Sequence, residues 1–392
     1  MSLVDADIVI AGAGASGLSL ALMLHAKAPR LSLLLLEPRE AHTHDRTFCF
    51  FRARPHRFSS LVSRTFHDIE VKSETREVIR TLREHPYEEL RASDFYAHCL
   101  ADLETNPRAK LERGVHVTSV EEQEGCVAVQ TSRGPVHARL FIDARGGLLA
   151  AKKGAHDVNW LQHFVGQEVT TENPVFTPGR ATLMDYRVSQ AEGPHFIYVL
   201  PSSRTEALVE DTYFSPSQLP RSVYEDNIRA WLSARGAGEF AIGRQEEGAI
   251  PMSSGAVSET IPRATRMLAI GQRGGAAKPS SGYAFQFIQR QCEALSTHIE
   301  SHGVSRPLRW LPPRTHIATM FDRVFLGYLR RHPQEGPSLF TGLFKNTNPD
   351  ALARFMSEEG GLRDHLAVMN AVPRRGVVSE IARSRHLWMR AR

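Results

Sequence analysis

At 392 residues, with 42% hydrophobic and 23% charged residues, the chain has the composition of a folded globular protein with room for two or three domains. Its formal charge of +5 is spread along the sequence except for a terminal cluster, Arg374, Arg375, Arg383, Arg385, Arg390 and Arg392, and no zinc-finger or aromatic-basic motif accompanies it, so no nucleic-acid partner is expected. Four scattered cysteines (Cys49, Cys99, Cys126, Cys292) without CxxC or metal-ligand spacing argue against a disulfide framework or a zinc site, and no run of 18 apolar residues offers a spanning helix.

The chain opens with acidic Asp5 and Asp7, unlike a signal peptide, and Asp7-Ile8-Val9-Ile10-Ala11 reads as a short buried strand. Gly12-Ala13-Gly14-Ala15-Ser16-Gly17 is a glycine turn, Leu18 to Leu24 is helical, and Leu33-Leu34-Leu35-Leu36 is a second strand closed by Glu37, twenty residues after Gly17. This is a dinucleotide fingerprint. Gly12 permits the tight turn, Gly14 lets the backbone approach a pyrophosphate at the helix N-terminus, Gly17 allows close helix–strand packing, and Glu37 is placed to accept from a ribose.

NAD and FAD both use this fingerprint, and the rest of the chain separates them. Ala138 to Asp143 reads as a third buried strand, ending in Gly146-Gly147, and Met267-Leu268-Ala269-Ile270-Gly271 as a fourth, followed by a glycine-rich loop Gly274–Tyr283 and a helix from about Ala284 to Ser296. These units resemble the segments that return the chain to the nucleotide domain in FAD-dependent proteins. Three returns separated by long insertions favour FAD. The fold class expected is therefore α/β: a Rossmann-type FAD-binding domain of the GR2 kind (1–47 with 136–150 and 262–300), inserted segments forming mainly a β-rich substrate domain (48–135 and 151–261), and C-terminal helices (301–392). Val115 to Val120 and His195 to Leu200 are expected as strands of the substrate domain. Apolar residues at helical spacing in Met320 to Leu326 and Asp350 to Met356 read as core packing, and Val377 to Met389 as a short interfacial helix.

Carboxyl groups provide the chemistry. In the strand Ala207–Phe214 a period of two puts Leu208, Glu210, Thr212 and Phe214 on one face and Val209, Asp211 and Tyr213 on the other, so Glu210 and Asp211 cannot both face one cavity. Glu246 precedes Gly248 and Pro251 and reads either as a site carboxylate or as a loop residue holding a turn. Eighteen histidines include the close pair His42 and His44, but no third ligand is evident, so no metal is expected. Ser16, Ser280 and Ser281 show no Ser-His-Asp pattern.

Several collinear motifs carry a family resemblance over nearly the whole chain: the N-terminal GxGxxG, Asp45-Arg46-Thr47-Phe48-Cys49-Phe50, Phe164-Val165-Gly166-Gln167-Glu168, Leu183-Met184-Asp185-Tyr186, Leu208-Val209-Glu210-Asp211-Thr212-Tyr213, Glu246 to Met252, Lys278-Pro279-Ser280-Ser281-Gly282-Tyr283 and Leu339 to Phe344. Together they resemble the bacterial, FAD-binding lycopene β-cyclases. Ser281 and Phe48 depart from it, since threonine and tryptophan are common there. The resemblance implies a redox-neutral cyclisation of the linear ends of lycopene, or a related polyene, to β-ionone rings, dependent on reduced FAD, with NAD(P)H as a candidate reductant. It makes Glu210 the acid, Asp211 its support, and Glu246 a flavin-orienting group or base. It adds Arg46, Gly271, Gly274, Gly275, Pro279 and Gly282 to Gly12, Gly14, Gly17 and Glu37 as cofactor-binding residues. A cytoplasmic location with peripheral contact to the inner membrane follows from so insoluble a substrate. The alternatives are an FAD-dependent monooxygenase or halogenase, against which Gln272 stands where an aspartate usually follows Gly271, and a non-catalytic carotenoid-binding flavoprotein.

Overall fold

The computed structural model describes residues 4–147, 159–253, 264–310, 314–372 and Glu380. Strand Ala6–Ala11 is apolar on both faces, the pattern of a strand inside a parallel sheet, and Ile8, Val9 and Ile10 are fully buried. It pairs in parallel with Leu33–Glu37 on one side and with the second half of Gly134–Asp143 on the other. Ala109–Arg113 and Met267–Ala269 extend the parallel array outward. Helices Ala15–Lys27 and Phe285–His302 pack on each other, with Cys292 against the Ser16 carbonyl. The four expected strands thus assemble into one nucleotide-type layer, and the second helix runs to His302, beyond the expected Ser296.

The nucleotide domain reclaims more of the first insertion than its sequence suggests. Helix Ala92–Thr105 packs on Ala15–Lys27, and the hairpin Val117–Glu122 and Val127–Thr131 pairs antiparallel with the first half of Gly134–Asp143. The strand expected at Val115 to Val120 therefore belongs to this sheet, not to the substrate domain. Alternation identifies a half-exposed strand but carries no information about which sheet receives it.

A second sheet runs in the order Phe240–Ser253, Asn159–Thr171, Glu206–Ser215, His195–Pro201, Arg180–Asp185, Asp68–Ser73 and Arg76–Thr81. All neighbours are antiparallel except Arg180–Asp185 beside Asp68–Ser73. A small sheet of Thr47–Phe51, Tyr87–Arg91 and Val62–Phe66 accompanies it. Helix Arg221–Ser233 covers one face of the large sheet, burying Ile228 and Leu232 among Val169, Val199 and Val209. The other face receives the C-terminal helices His316–Arg331, Gly336–Asn346, Pro349–Met356 and Leu362–Ala371. Leu339, Phe340, Leu343 and Phe344 are buried with Phe196, Leu208 and Phe214, at roughly 1.5–3 kcal/mol per large apolar side chain. The interfacial helix expected at Val377 to Met389 lies outside the described residues, apart from Glu380. Among the described residues no helix is long and apolar enough to cross a membrane.

Candidate active site

The C-terminal helices do not close fully onto the sheet. Between them lies an apolar cavity of about 370 Å³, lined by Thr47, Phe48, Glu210 and the loop Ser280–Ala284 together with Val368, Met369 and Val372. Met320, Phe321, Val324 and Phe325 line it. Their helical spacing is legible in the sequence, but spacing alone cannot tell a side chain packed against protein from one that borders a void.

Glu210 enters the cavity from the central strand Glu206–Ser215, alongside Thr212 and Phe214, as the period of two requires. Its register partner on Asn159–Thr171 is Gly166, and Gly166 is also paired with Glu246 of the edge strand Phe240–Ser253. Glu246 therefore sits on a regular strand, not in a loop, and the same alternation that turns Glu247 outward toward Arg221 turns Glu246 inward. The two carboxyl side chains meet over the glycine: a Cβ at Gly166 would lie 2.9 Å from Glu210 Cγ and 3.1 Å from Glu246 Cγ. Glu210 is partly exposed only because it opens on the cavity. Burial first, and then the neighbouring Glu246 carboxyl, push Glu210 well above the ordinary carboxylate range. Thr47 Oγ1 donates to Glu246 Oε2 at 2.8 Å, and Arg244 pairs with the same oxygen.

Asp211 takes the opposite course. It points to the far face of the sheet, fully buried, where it pairs with His195 Nε2 and accepts from Asn227 Nδ2 at 2.8 Å. His195 Nδ1 reaches the Ser189 carbonyl at 2.6 Å, and its ring stacks on Tyr213 at 3.9 Å. Asp211 thus lies on the face away from the cavity, as the period of two requires, and anchors the back of the sheet.

The cavity end near Glu210 carries a group of hydroxyls that the sequence does not single out. Tyr198 stands opposite Glu210 in register, its hydroxyl lies 3.1 Å from that of Tyr87, and Cys49 and Tyr283 complete the wall. Tyr283, undecided between cofactor and core from sequence, packs edge-on against Phe51 and Tyr87. Burial pushes all three tyrosines up, so they remain neutral. Phe48 stacks on Phe285 at 4.8 Å.

The residues expected from sequence to hold a nucleotide occupy the following places. Gly12 adopts φ +99°, with Ala144 O only 3.0 Å from where a Cβ would stand, and a Cβ on Gly17 would meet Gly12 O at 1.9 Å. Above Gly14 the nearest atom to such a Cβ is an Arg39 nitrogen at 4.0 Å, so the space over the helix N-terminus is open. Glu37 accepts from the Ala13 amide at 2.7 Å and from Arg39 Nε at 2.8 Å. Burial opposes its charge, but Arg39 and the amides outweigh burial and hold it below the usual range. Arg46 is half exposed and paired with Asp45 at 2.9 Å. In the third segment Gly271, Gly275 and Gly282 all have positive φ; Gly271 lies against Ser16 Oγ, Gly274 against the Ala269 carbonyl and Gly282 against Gln162 Oε1. Pro279 sits between Lys278 and Ser280, which both bond to buried Asp322 of helix His316–Arg331. Lys278 Nζ lies 2.9 Å from Asp322 and 3.2 Å from Glu358, and Arg314 pairs with both carboxylates. This closed cluster clamps the helical roof to the glycine loop. His42 bonds the Ala13 carbonyl at 2.7 Å, and among the described residues no group of three metal-ligating side chains occurs.

The profile of the family described as Lycopene cyclase protein matches residues 7–382. A lycopene beta-cyclase of Pantoea ananas is 26% identical over 383 residues, 94% of each chain. Among solved structures, a geranylgeranyl bacteriochlorophyll reductase-like protein of Thermoplasma acidophilum superposes with a TM-score of 0.62 at 14% identity, covering 95% of this chain and 98% of that one. Aklavinone-11 hydroxylase, solved with FAD and aklavinone, gives 0.56 at 15% identity over 77% of this chain and 63% of its own. These likenesses are in fold, and they agree with the Rossmann-type α/β architecture; with a match that spans nearly every element described above, the chain belongs to the lycopene cyclase family.

Proposed function

We propose that this protein is a lycopene β-cyclase that converts the linear ends of lycopene, or of a closely related polyene, to β-ionone rings by acid catalysis. One observation carries the reading: a carboxyl group in the wall of an apolar cavity, beside a second carboxyl, with burial and that neighbour both raising its hold on a proton. Protonating the terminal double bond of a hydrocarbon requires an acid that keeps its proton near neutral pH, and water must be absent so that the cation closes onto the neighbouring double bond. Glu210 donates that proton. The tertiary cation formed is captured by the neighbouring double bond, and a proton lost from the new ring returns to the carboxyl pair, so the reaction neither consumes protons nor transfers electrons overall. Phe164, Phe196, Tyr198 and Tyr283 border the same space, and their ring faces suit a transient cation.

FAD is the cofactor proposed. The open space over Gly14, the absence of an acidic side chain in the first turn of Ala15–Lys27 and the buried Glu37 fit a nucleotide pyrophosphate and ribose. Buried Gln162 Oε1 and Ser281 Oγ, beside Gly282 and without partners among the described residues, suit the polar edge of a flavin. Bound in reduced form, FAD would supply negative charge that favours a cation. A second helix N-terminus, at Phe285, is likewise uncapped and free of acidic side chains in its first turn.

Access from a lipid surface completes the proposal. Helix Leu362–Ala371 exposes Leu362, Leu366 and Met369, and Met369 also lines the cavity. Burying such a stripe in a bilayer removes apolar surface from water and places a polyene donor at the opening.

The test is anaerobic incubation of the FAD-loaded protein with lycopene liposomes in deuterated water, with dithionite, with NAD(P)H or with neither. Cyclised product only under reduction, with one solvent deuteron retained per ring, is expected. Absence of product under reduction, together with oxygen-dependent NAD(P)H oxidation, would move the protein to the monooxygenases.

A further inference from the structure

Two carboxyl side chains that meet over one glycine, with a single proton between them, would divide that proton if they were equivalent. Here their surroundings are unequal. Glu246 is met by the Arg244 guanidinium from two positions away on its own strand and by Thr47 from the strand Thr47–Phe51. Arg244 also donates to Thr47 Oγ1 at 3.0 Å, so that hydroxyl must spend its own hydrogen on Glu246 Oε2. One oxygen of Glu246 therefore accepts twice, which suits a carboxylate. Arg244 continues to Glu168 Oε1, at 3.1 Å on the strand Asn159–Thr171, where that carboxylate is one-third exposed. Two further groups complete the surroundings. His44, which burial and then Arg244 keep neutral, precedes Thr47, and Glu89, facing Cys49 in register, is tied to Arg64 at 2.8 Å. Among the described residues Arg244 is the cation paired with Glu246.

We propose that Arg244 is a positioning residue: its guanidinium holds the negative charge of the pair on Glu246 and so leaves the proton on Glu210, the member that faces the cavity. The proposal rests on the reading of Glu210 as the acid and adds the device that keeps it loaded. Its logic is charge balance. Glu246 and Arg244 neutralise each other beside a neutral Glu210. If Glu246 loses its charge, Arg244 keeps only the one-third exposed Glu168 as counter-ion, and its remaining positive charge beside Glu210 draws the proton off it. If both charges go, Glu210 stands alone in an apolar wall and is neutral again.

The consequence is a rescue that a merely structural arginine does not produce. In infrared spectra the carbonyl stretch of a neutral buried carboxylic acid is expected in the unmodified holoprotein and absent in Glu210→Gln, which assigns it. Glu246→Gln is expected to lose the same band and about 100-fold in cyclisation rate, and the double variant Arg244→Gln/Glu246→Gln to regain the band and about tenfold of the rate. A second pair leaves Glu246 in place: Glu210→Gln has no neutral-acid band, and Glu210→Gln/Arg244→Gln gains one as Glu246 loses its counter-ion and takes up a proton. Persistence of the band in Glu246→Gln, a double variant no faster than Glu246→Gln, or no band in Glu210→Gln/Arg244→Gln would each overturn the proposal. If the bands behave as expected while the unmodified protein cyclises no lycopene, the charge device stands and the substrate reading fails.

Discussion

Glu210 and Asp211 are neighbours on one strand and meet opposite fates. Both are removed from bulk water, yet Glu210 faces an apolar cavity and a second carboxyl, whereas Asp211 faces an imidazole and an amide donor. Burial opposes the charge of Glu210. What differs is the partner: where the neighbour is another acid the proton stays, and where it is a complete set of donors the carboxylate holds a fold together. One strand, with its alternation of sides, thereby separates chemistry from architecture by the thickness of a single sheet.

The sharpest break of that comparison is to remove each carboxylate in turn. Glu210→Gln, nearly isosteric, is expected to lower cyclisation about 10³-fold or more and, compared at about pH 5, to change the thermal midpoint little, since it removes a general acid and no packing. Asp211→Ala is expected to do the reverse. It leaves buried His195 Nε2 without its partner and takes one of two acceptors from Asn227 Nδ2, so unfolding free energy should fall by about 3–5 kcal/mol, while the protein that remains folded keeps activity within about tenfold. Parallel denaturant melts and rates per bound flavin check both arms, and an Asp211 variant that stays stable but inert would return Asp211 to the reaction.

A titration sharpens the same contrast. Glu210 binds its proton more tightly in the folded protein than in the unfolded chain, so folded protein holds more protons at any pH between the two values. Stability from this group is therefore greatest below the ordinary carboxylate value and is lost as pH rises toward the elevated folded value, with a slope of about 1.4 kcal/mol per pH unit. Glu210→Gln should remove that slope. The difference in unfolding free energy between variant and parent should then grow with pH from about 5 upward, and a flat difference would mean that Glu210 is ionised in the fold.

Much of this was open to inspection in the sequence, and the reasons are physical. The glycine turn, Leu33–Leu36 and Glu37 stand at spacings set by one local βαβ unit, and a local unit is readable from a local pattern. The faces of Glu210 and Asp211 follow from strand periodicity alone. Nonlocal partners are another matter. That Glu246 belongs beside Glu210, that Lys278 meets Asp322 and Glu358, and that Ala109–Arg113 joins the first sheet depend on registers between segments tens of residues apart, which no periodicity encodes. Arg244 was missed for the same reason: an arginine two residues from a glutamate is commonplace until both are seen to face a buried acid.

Gly166 is the point where the two faces of the argument meet, and it gives the subtlest test. No left-handed backbone conformation demands glycine here; what demands it is the space between Glu210 and Glu246. In Gly166→Ala the methyl would stand 2.9 Å from Glu210 Cγ, 3.1 Å from Glu246 Cγ and 3.3 Å from Leu208 Cδ1, so at least one carboxyl side chain must give way. The cost in stability is expected at about 1–2 kcal/mol, typical of an overpacked site. Parting the carboxyls also weakens the influence of Glu246 on Glu210, while burial continues to act. The alkaline limb of the pH–rate profile should therefore move to lower pH without reaching that of an ordinary carboxylic acid, and the rate below that limb should fall about tenfold as the acid leaves its place. An alanine variant with an unshifted limb would show that the cavity alone sets the proton affinity of Glu210. The pair, and the arginine behind it, would then have no part in keeping the acid charged with its proton.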